Sequence, residues 1–335
     1  MHWKPTTRAV LAAVSLLVVG LVVGVSLYLR LPWIRTESIQ FQSGEVTLAG
    51  TLALPRWRDG PYPAAVVVQG SGALSRWIYW GYAMHLVPHG MAVLLYDKRG
   101  VGESSGSQVQ GATWSLEGVA KCGDTFTVLA SDVLAAVSSL KKREDIDSTR
   151  MGLLGISQAG WIMPLAASQS GDVSFIVSIS GPAVTCGIED WYSQLTGEYR
   201  AYPELKAPAP FADGELSDEE IERRLDEYDG PQGYDPVPLL STLKVPTLWV
   251  LGGRDRSVPT SRSVANLKRL IAAGAPFELK VYSGGDHLLI RRDVSDPSFN
   301  MNLTLALFRR IDYWPDVRSW LAEQRILSSA GDDGT

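Results

Sequence analysis

Five short, unbroken apolar runs constrain the fold of this chain more than any other feature of its sequence. They occupy residues 64–68, 92–96, 151–154, 175–179 and 247–251. Strands buried on both faces have this composition, and such strands belong to parallel sheets that helices cover. Segments with an apolar stripe at helical spacing separate the runs, for example residues 128–140. The alternation predicts an α/β fold with a doubly wound, mostly parallel sheet and with function at the carboxyl ends of its strands.

The composition fits a globular chain and gives no support for a nucleic-acid partner. Apolar residues make up 45% of the chain and charged residues 20%, which suffices for a full core. The formal net charge is -5, whereas proteins that bind nucleic acid concentrate basic residues on one face. A phosphate-binding Walker loop is also absent from the sequence. We therefore expect no nucleic acid among the partners.

Residues 1–35 predict a short N-terminal stub followed by a transmembrane anchor. Residues 9–29 carry no charge, and a helix of about 20 apolar residues spans the hydrocarbon core of a membrane. Lys4 and Arg8 precede this run, which favours a cytoplasmic stub and places the main body outside the cytoplasm. A cleaved signal peptide is the alternative, although its apolar region would be unusually long. We expect a single-pass membrane protein with an extracytoplasmic body.

The remaining chain predicts one core in two parts, residues 36–183 and residues 244–328. The first part begins with roughly alternating apolar and polar residues at 38–54, the pattern of a half-exposed antiparallel hairpin. The small and polar residues 329–335 predict a disordered tail.

Residues 184–243 interrupt the strand and helix rhythm of the core. They contain no buried-strand pattern and are rich in Pro, Asp, Glu and Tyr. Ser217 and Glu220 form a capping box within them, and this motif predicts the start of a helix. We interpret the segment as a helical lid inserted into the core, because long unstructured loops are uncommon in compact domains. An irregular surface loop is the alternative.

Residues 151–161 place a serine in a turn between a buried strand and a helix. Gly155 lies two residues before Ser157, and Ala159 lies two residues after it. A nucleophilic serine in such a strained turn leaves no room for larger side chains at these two positions. The pattern G-x-S-x-A therefore predicts that Ser157 is a nucleophile. A serine that merely caps the helix is the alternative.

Two further residues follow predicted strands in the order that serine chemistry requires. Asp255 follows the strand at residues 247–251, and His287 follows a strand at residues 277–282. A serine hydroxyl is a poor nucleophile until a histidine takes its proton, and the histidine needs a carboxylate to fix its tautomer. We therefore assign Ser157, Asp255 and His287 as the candidate catalytic triad.

The alternatives to these two partners are few. The chain has four histidines, and the others are His2, His85 and His89. All three lie early in the chain, whereas His287 alone combines the expected order with a position at a strand end. Asp286 and Asp190 are the alternative acids, but Asp286 adjoins His287 and would have difficulty facing its ring.

The oxyanion hole needs two backbone amides aimed at the point where negative charge develops. One donor is expected from Gln158, the residue after the nucleophile. The loop after the first apolar strand, residues 69–72, should supply the other. We assign the amide of Ser71, with Gly72 as second choice. An ordinary glycine-rich turn is the alternative.

Two other features concern structure and not catalysis. Asp97 and Arg99 lie in a loop after the second apolar strand, where we expect them to brace neighbouring loops and assign them no catalytic role. Cys122 and Cys186 are the only cysteines, and in an oxidising compartment they could form a disulfide. Two ordinary small residues, without a disulfide between them, are the alternative.

Several motifs together resemble the α/β-hydrolase superfamily, in particular its bacterial branch near the dienelactone-hydrolase-like esterases and the serine aminopeptidase-like hydrolases. The motifs lie at residues 69–72, 97–104, 155–159, 253–255 and 286–287. The resemblance covers residues 36–322 except the lid, and it implies hydrolysis through an acyl-enzyme without a metal or an organic cofactor. Two positions depart from the family: dienelactone hydrolases have cysteine where this chain has Ser157, and many relatives have histidine at the position of Gln69.

The sequence thus predicts a membrane-anchored serine hydrolase that cleaves a carboxylic ester or thioester of a small-molecule acyl substrate. A peptidase or amidase of the same fold is one alternative. An acyltransferase, which shares the triad and excludes water, is another. A membrane-tethered binding protein on a hydrolase scaffold is the third, although an incomplete triad would be its signature.

Overall fold

The computed structural model describes residues 33–109, 116–197, 216–291 and 310–328, together with residues 15–16, 18–20 and 23–24. The predicted tail at residues 329–335 and most of the predicted anchor at residues 9–29 lie outside this part of the chain. Within the described residues we find no helix with the length and apolar character that a membrane crossing requires.

An eight-stranded sheet forms the centre of the described chain. Its strands are β1 (Ile34–Ser43), β2 (Val46–Pro55), β3 (Tyr62–Val68), β4 (Ala92–Tyr96), β5 (Ile146–Ile156), β6 (Phe175–Ile179), β7 (Thr247–Gly252) and β8 (Phe277–Tyr282). Their order is β1-β2-β4-β3-β5-β6-β7-β8. Strand β2 runs antiparallel to both of its neighbours, and the pairs from β4 to β8 are parallel. The predicted mostly parallel sheet is confirmed.

The first two strands form the predicted hairpin. Ser43 pairs with Val46, which leaves a two-residue turn between them. Gly44 occupies this turn with a φ of +58°, a conformation that suits glycine and the tight turns of hairpins. Strand β1 lies at the edge of the sheet and alternates buried and exposed residues, as its sequence pattern predicts.

Helices cover both faces of the sheet. They are α1 (Trp80–Leu86), α2 (Leu116–Lys141), α3 (Ala159–Ser168), α4 (Cys186–Leu195), α5 (Asp218–Asp226), α6 (Val237–Thr242), α7 (Thr260–Ala272) and α8 (Trp314–Glu323). Alternate residues of β3 enter opposite core layers: Val66 belongs to the layer that contains Phe126 of α2, whereas Val67 belongs to the layer that contains Trp314 of α8. Both layers are predominantly apolar, which explains why the central strands have nearly unbroken apolar sequences.

The predicted lid contains three helices among its described residues, namely α4, α5 and α6. Ser217 caps α5, and its Oγ accepts a hydrogen bond from the amide of Glu220 at 3.2 Å. The Glu220 carboxylate bonds to Arg223 and Arg224 instead of returning to the N-cap, so only half of the capping box forms. Arg262 of α7 ties α5 to the core. The role of the segment as a lid stays a prediction.

The two cysteines lie beside each other in the core. Both are fully buried free thiols. The Cys122 Sγ accepts a hydrogen bond from the amide of Tyr234 at 3.2 Å, and the hydrogen bond with Cys186 lowers the pKa of the Cys122 thiol. The structure thus has two neighbouring buried thiols at these positions and not a disulfide.

Candidate active site

Ser157 lies in a sharp turn between β5 and α3. Its φ of 59° is in the left-handed region, which costs a residue with a side chain about 1 kcal/mol or more. The Ser157 amide donates to the carbonyl of Ile179 at 2.9 Å, and the Ser157 carbonyl accepts from Gly160 at 2.8 Å. Strained residues persist only where the surroundings hold them, and they are frequent at active sites.

The residues around the turn show why it requires small side chains. A Cβ atom on Gly155 would lie 2.5 Å from the Cβ of Ala159 and 2.5 Å from the carbonyl oxygen of Val68. A Cβ on Gly160 would lie 2.6 Å from the Cα of Gly181. The first contact pair is the one that the G-x-S-x-A pattern predicts, whereas the sequence gives no sign that Gly181 approaches α3.

Asp255 and His287 meet at the carboxyl edge of the sheet. The His287 Nδ1 and the Asp255 Oδ2 are 2.8 Å apart. The Asp255 Oδ1 accepts hydrogen bonds from the amides of Ser257 and Val258, each at 2.8 Å, and the residue is 3% exposed. The carboxylate is therefore fixed by its own turn on one oxygen and bonded to the imidazole through the other.

The two alternative acids bond elsewhere. The Asp286 Oδ1 accepts from the amides of Leu288 and Ile290, at 3.0 and 2.9 Å, and thereby shapes the loop that carries His287. The Asp190 Oδ2 accepts from the Gln194 side chain at 2.7 Å, one turn further along α4.

A glutamate that the sequence did not suggest lies near this pair. Partial burial raises the pKa of Glu189 well above its usual range, Asp190 and Asp255 act in the same direction, and His287 opposes them. By contrast, Asp218 and Glu219 of the predicted lid are exposed at the start of α5.

The loop at residues 69–72 runs beside the nucleophile. A Cβ on Gly70 would lie 3.5 Å from the Cβ of Ser157, so the loop backbone approaches the serine closely. The Gly70 amide donates to the Tyr79 hydroxyl at 3.1 Å. Within the described residues, the amides of Ser71 and Gln158 donate to no protein acceptor. Neither amide assigned to the oxyanion hole is therefore engaged by another described residue.

Lys98 is the residue of this region that the sequence analysis missed. It follows β4, is 7% exposed, and donates from its ammonium to the Gly70 carbonyl and, at 3.2 Å, to the Gln158 Oε1. Burial lowers its pKa to about 8. One feature of the sequence could have indicated Lys98: it closely follows a buried strand. We interpreted its loop as structural.

Of its two sequence neighbours, Asp97 braces adjacent loops as predicted, whereas Arg99 ties its loop to a helix. Asp97 accepts from the backbone amide and from the guanidinium of Arg76, both at 2.7 Å. Arg99 reaches Asp132 of α2 with two nitrogens, the Nε at 2.8 Å. Both carboxylates are nearly or fully buried, so each arginine neutralises a charge that would otherwise be costly.

Comparison with known proteins gives a consistent set of relatives. A sequence model of the prolyl oligopeptidase family matches residues 82–303. The chain is 29% identical over 229 residues to the acylamino-acid-releasing enzyme of Mus musculus, which covers 65% of this chain and 27% of that enzyme. It is 26% identical over 273 residues to esterase EstD of Thermotoga maritima, which covers 75% of this chain and 60% of the esterase.

Among solved structures, an esterase from Pyrococcus furiosus superposes with a TM-score of 0.59 at 17% identity, covering 87% of this chain and 91% of that one. This likeness concerns the fold. Together with the family match it confirms the resemblance to the α/β-hydrolase superfamily.

Proposed function

Because this chain belongs to the prolyl oligopeptidase family and is a serine hydrolase, we propose that it cleaves a carboxylic ester or thioester through an acyl-enzyme on Ser157. The observation that carries the proposal is the 2.8 Å contact between Asp255 and His287. It lies at the same edge of the sheet as the strained serine, because all three residues follow parallel strands. The acyl substrate is a small molecule.

The acid and the histidine set up the proton transfer. An ionised carboxylate only accepts hydrogen bonds, so His287 donates to it through Nδ1 and keeps Nε2 as an acceptor. In the proposed reaction Nε2 takes the proton of the Ser157 hydroxyl as the oxygen attacks the acyl carbonyl. Asp255 orients the ring and stabilises the imidazolium that forms.

The oxyanion hole and water complete the cycle. The amides of Ser71 and Gln158 donate to the oxygen that becomes negative, with the amide of Gly72 as the alternative to Ser71. Collapse of the tetrahedral intermediate expels the alcohol or thiol, which receives the proton from His287. Water then attacks the acyl-Ser157 ester with His287 as base, and Ser157 leaves with the returned proton.

A peptidase is the second candidate. It is supported by the family match and by the similarity to an acylamino-acid-releasing enzyme. The esterases EstD and that of Pyrococcus furiosus support the ester reading, and they share more of their own length with this chain. We favour the ester because it is the less demanding substrate for such a site.

Labelling with a fluorophosphonate tests the nucleophile. We expect the wild type to be labelled and the Ser157→Ala variant to remain unlabelled. A panel of p-nitrophenyl esters, aminoacyl p-nitroanilides and acylated peptides then separates the candidates by kcat/KM. Higher values for all amides would favour the peptidase, and full labelling of the alanine variant would refute the assignment of Ser157.

We also propose that residues 9–29 anchor the protein in a membrane, with the site facing away from it. Ile34 pairs with Pro55 and Ala53 pairs with Val93, so the chain enters the sheet at the amino ends of the parallel strands. Ser157 follows the carboxyl end of β5, at the opposite edge. Near the entry, Trp33 is 51% exposed, a side chain that suits a membrane interface.

Carbonate extraction of membranes from cells that express the full chain tests this anchor. We expect the protein to stay in the membrane pellet and a variant that begins at residue 33 to be released. Release of the full chain would contradict the anchor, and an N-terminus found beyond residue 29 would identify a cleaved signal peptide. Protease added outside spheroplasts should digest the body if it is extracytoplasmic.

A further inference from the structure

The proposed mechanism assigns no role to the buried ammonium of Lys98. We propose that Lys98 is a positioning residue of the oxyanion hole, whose ammonium binds the Gly70 carbonyl and the Gln158 side chain and so aims the Ser71 and Gln158 amides at one point. This inference rests on the proposed function, because it concerns the same reaction.

The contacts of Lys98 join the two segments that supply the oxyanion donors. Its ammonium donates to the carbonyl of Gly70, in the loop after β3, and to the Oε1 of Gln158, at the start of α3, at 3.2 Å. These two segments are not adjacent in sequence. A single side chain from a third loop therefore fixes both halves of the hole relative to each other.

The Gly70 carbonyl and the Ser71 amide belong to one peptide group. That group is planar and trans, so its C=O and N–H bonds point in opposite directions. Holding the oxygen therefore fixes the direction of the N–H, and a cation on the oxygen polarises the group and strengthens the N–H as a donor. Tyr79 holds the amide on the other side of Gly70 at 3.1 Å. This arrangement favours the Ser71 amide over that of Gly72.

Gln158 is held through its side chain. The residue is 3% exposed, and its Oε1 faces the Lys98 ammonium, so its Nε2 points elsewhere. This Nε2 is buried and has no hydrogen-bond partner among the described residues. A buried amide donor without a partner destabilises a fold. Its presence here is consistent with a side chain whose position serves to orient the Gln158 backbone amide.

The ammonium lacks a counter-ion in the described part of the chain. Its hydrogen bonds go to neutral oxygens, and desolvation alone perturbs its pKa. The adjacent Asp97 is bonded to Arg76, and Arg99 is bonded to Asp132. A buried unpaired charge destabilises a fold, but here it places a positive field beside the position where the oxyanion develops.

Removal of the ammonium tests the inference. We expect Lys98→Met to lower kcat for a p-nitrophenyl ester on the order of 10²-fold, since loss of one oxyanion donor costs about 10² to 10³. KM should change less than about threefold, because the hole acts on the transition state. Lys142→Met is the matched control, since Lys142 is exposed, and it should leave both constants unchanged. An unchanged kcat in Lys98→Met overturns the inference.

The pH profile supplies a second readout that a structural role would not move. With the Lys98 pKa lowered to about 8, kcat of the wild type should fall above that pH as the ammonium loses its proton. The arginine of Lys98→Arg stays charged above about pH 8, so kcat of this variant should not show the alkaline decrease, whatever its absolute value. The other titratable groups of the surrounding elements are Arg76, Tyr79, Tyr96, Asp97, Arg99, Asp132, Asp255 and His287. Burial raises the pKa of Tyr79 to about 12 and that of Tyr96 further, so neither ionises in this range.

Both tests distinguish this inference from the proposed function. Suppose that the wild type is labelled at Ser157 and hydrolyses esters. If its kcat then does not fall at alkaline pH, or if kcat of Lys98→Arg falls in the same way, the positioning role is wrong and the proposed function stands. If the wild type is not labelled at Ser157, both fail together. Should Lys98→Met not fold, the profiles of the wild type and Lys98→Arg decide.

Discussion

Two pairs of loops meet at the carboxyl edge of the sheet, and they hold their charges in opposite ways. The loops after β7 and β8 carry Asp255, whose carboxylate accepts from two backbone amides and faces His287. The loops after β3 and β4 carry Lys98, whose ammonium meets only neutral oxygens in the described residues. We call these the acid–base side and the oxyanion side.

The difference corresponds to the charge that each side faces during the reaction. The acid–base side must stabilise a transient imidazolium, for which a fully held carboxylate is suited. The oxyanion side must stabilise a transient negative charge, and a nearby counter-ion would cancel the field that does so. Paired charge on one side and unpaired charge on the other are therefore both expected of a working site.

The largest effect should come from Asp255→Asn, which breaks the acid–base side. An asparagine can present its amide to Nδ1 and so favour the wrong tautomer of His287, which lowers kcat by about 10⁴-fold in a comparable triad. Steady-state ester hydrolysis gives the loss, and the unfolding midpoint shows whether the fold survives. A decrease below tenfold in a folded variant would contradict the role of Asp255.

The acid–base side was predictable from the sequence and the oxyanion side was only partly so. Asp255 and His287 act through side chains of characteristic type, and each follows a strand that the sequence predicts. The oxyanion donors are backbone amides, which every residue type carries, so only their place in the fold suggested Ser71 and Gln158. Lys98 was missed because its two partners are distant in sequence, and no spacing brings a lysine to a carbonyl that belongs to another loop.

A smaller effect should follow from Gly155→Ala, in the turn that both sides share. The added methyl group would meet backbone and side-chain atoms at 2.5 Å, and such overpacking destabilises by about 3 kcal/mol. Gly171→Ala is the matched control because a Cβ there has no atom within 4 Å. Denaturant unfolding should separate the two variants. A loss of fluorophosphonate labelling should accompany the destabilisation. Equal stability of the two variants would mean that the turn relaxes around the added methyl group.

The fold was predictable where burial dictates the pattern. The apolar runs gave the parallel strands, including β4 and β6 with the bounds that the sequence suggested. The capping residue Ser217 located the start of α5. By contrast, the approach of Gly181 to Gly160 depends on how β6 packs against α3, and this contact has no local signal in the sequence.

On the oxyanion side, we expect an effect of similar size in the pH dependence of the free energy of unfolding. The pKa of Lys98 falls from 10.5 in an ordinary lysine to about 8 in the fold, so between these values the unfolded chain binds the extra proton. Stability therefore rises with pH through this window. Relative to Lys98→Met, the wild type should gain about 3 kcal/mol from pH 7 to pH 11, at 1.36 kcal/mol for each pKa unit.

Urea unfolding of both proteins at several pH values measures this difference. At pH 7 the methionine variant should be at least as stable as the wild type, because it lacks the buried charge. A difference between the two proteins that does not change with pH would mean that Lys98 stays protonated, and the contrast between the two sides would then be weaker than the structure indicates.

The smallest effect should come from Tyr192→Phe, which loosens the acid–base side alone. The Tyr192 hydroxyl of α4 donates to the carbonyl of Asp255 at 2.7 Å, the one described hydrogen bond that joins the predicted lid to the acid itself. Its loss should cost about 1 kcal/mol of stability and lower kcat by less than tenfold, because two backbone amides still hold the carboxylate. The alkaline decrease in kcat assigned to Lys98 should stay in place. A shift of that decrease in Tyr192→Phe would show that the two sides are coupled through the lid.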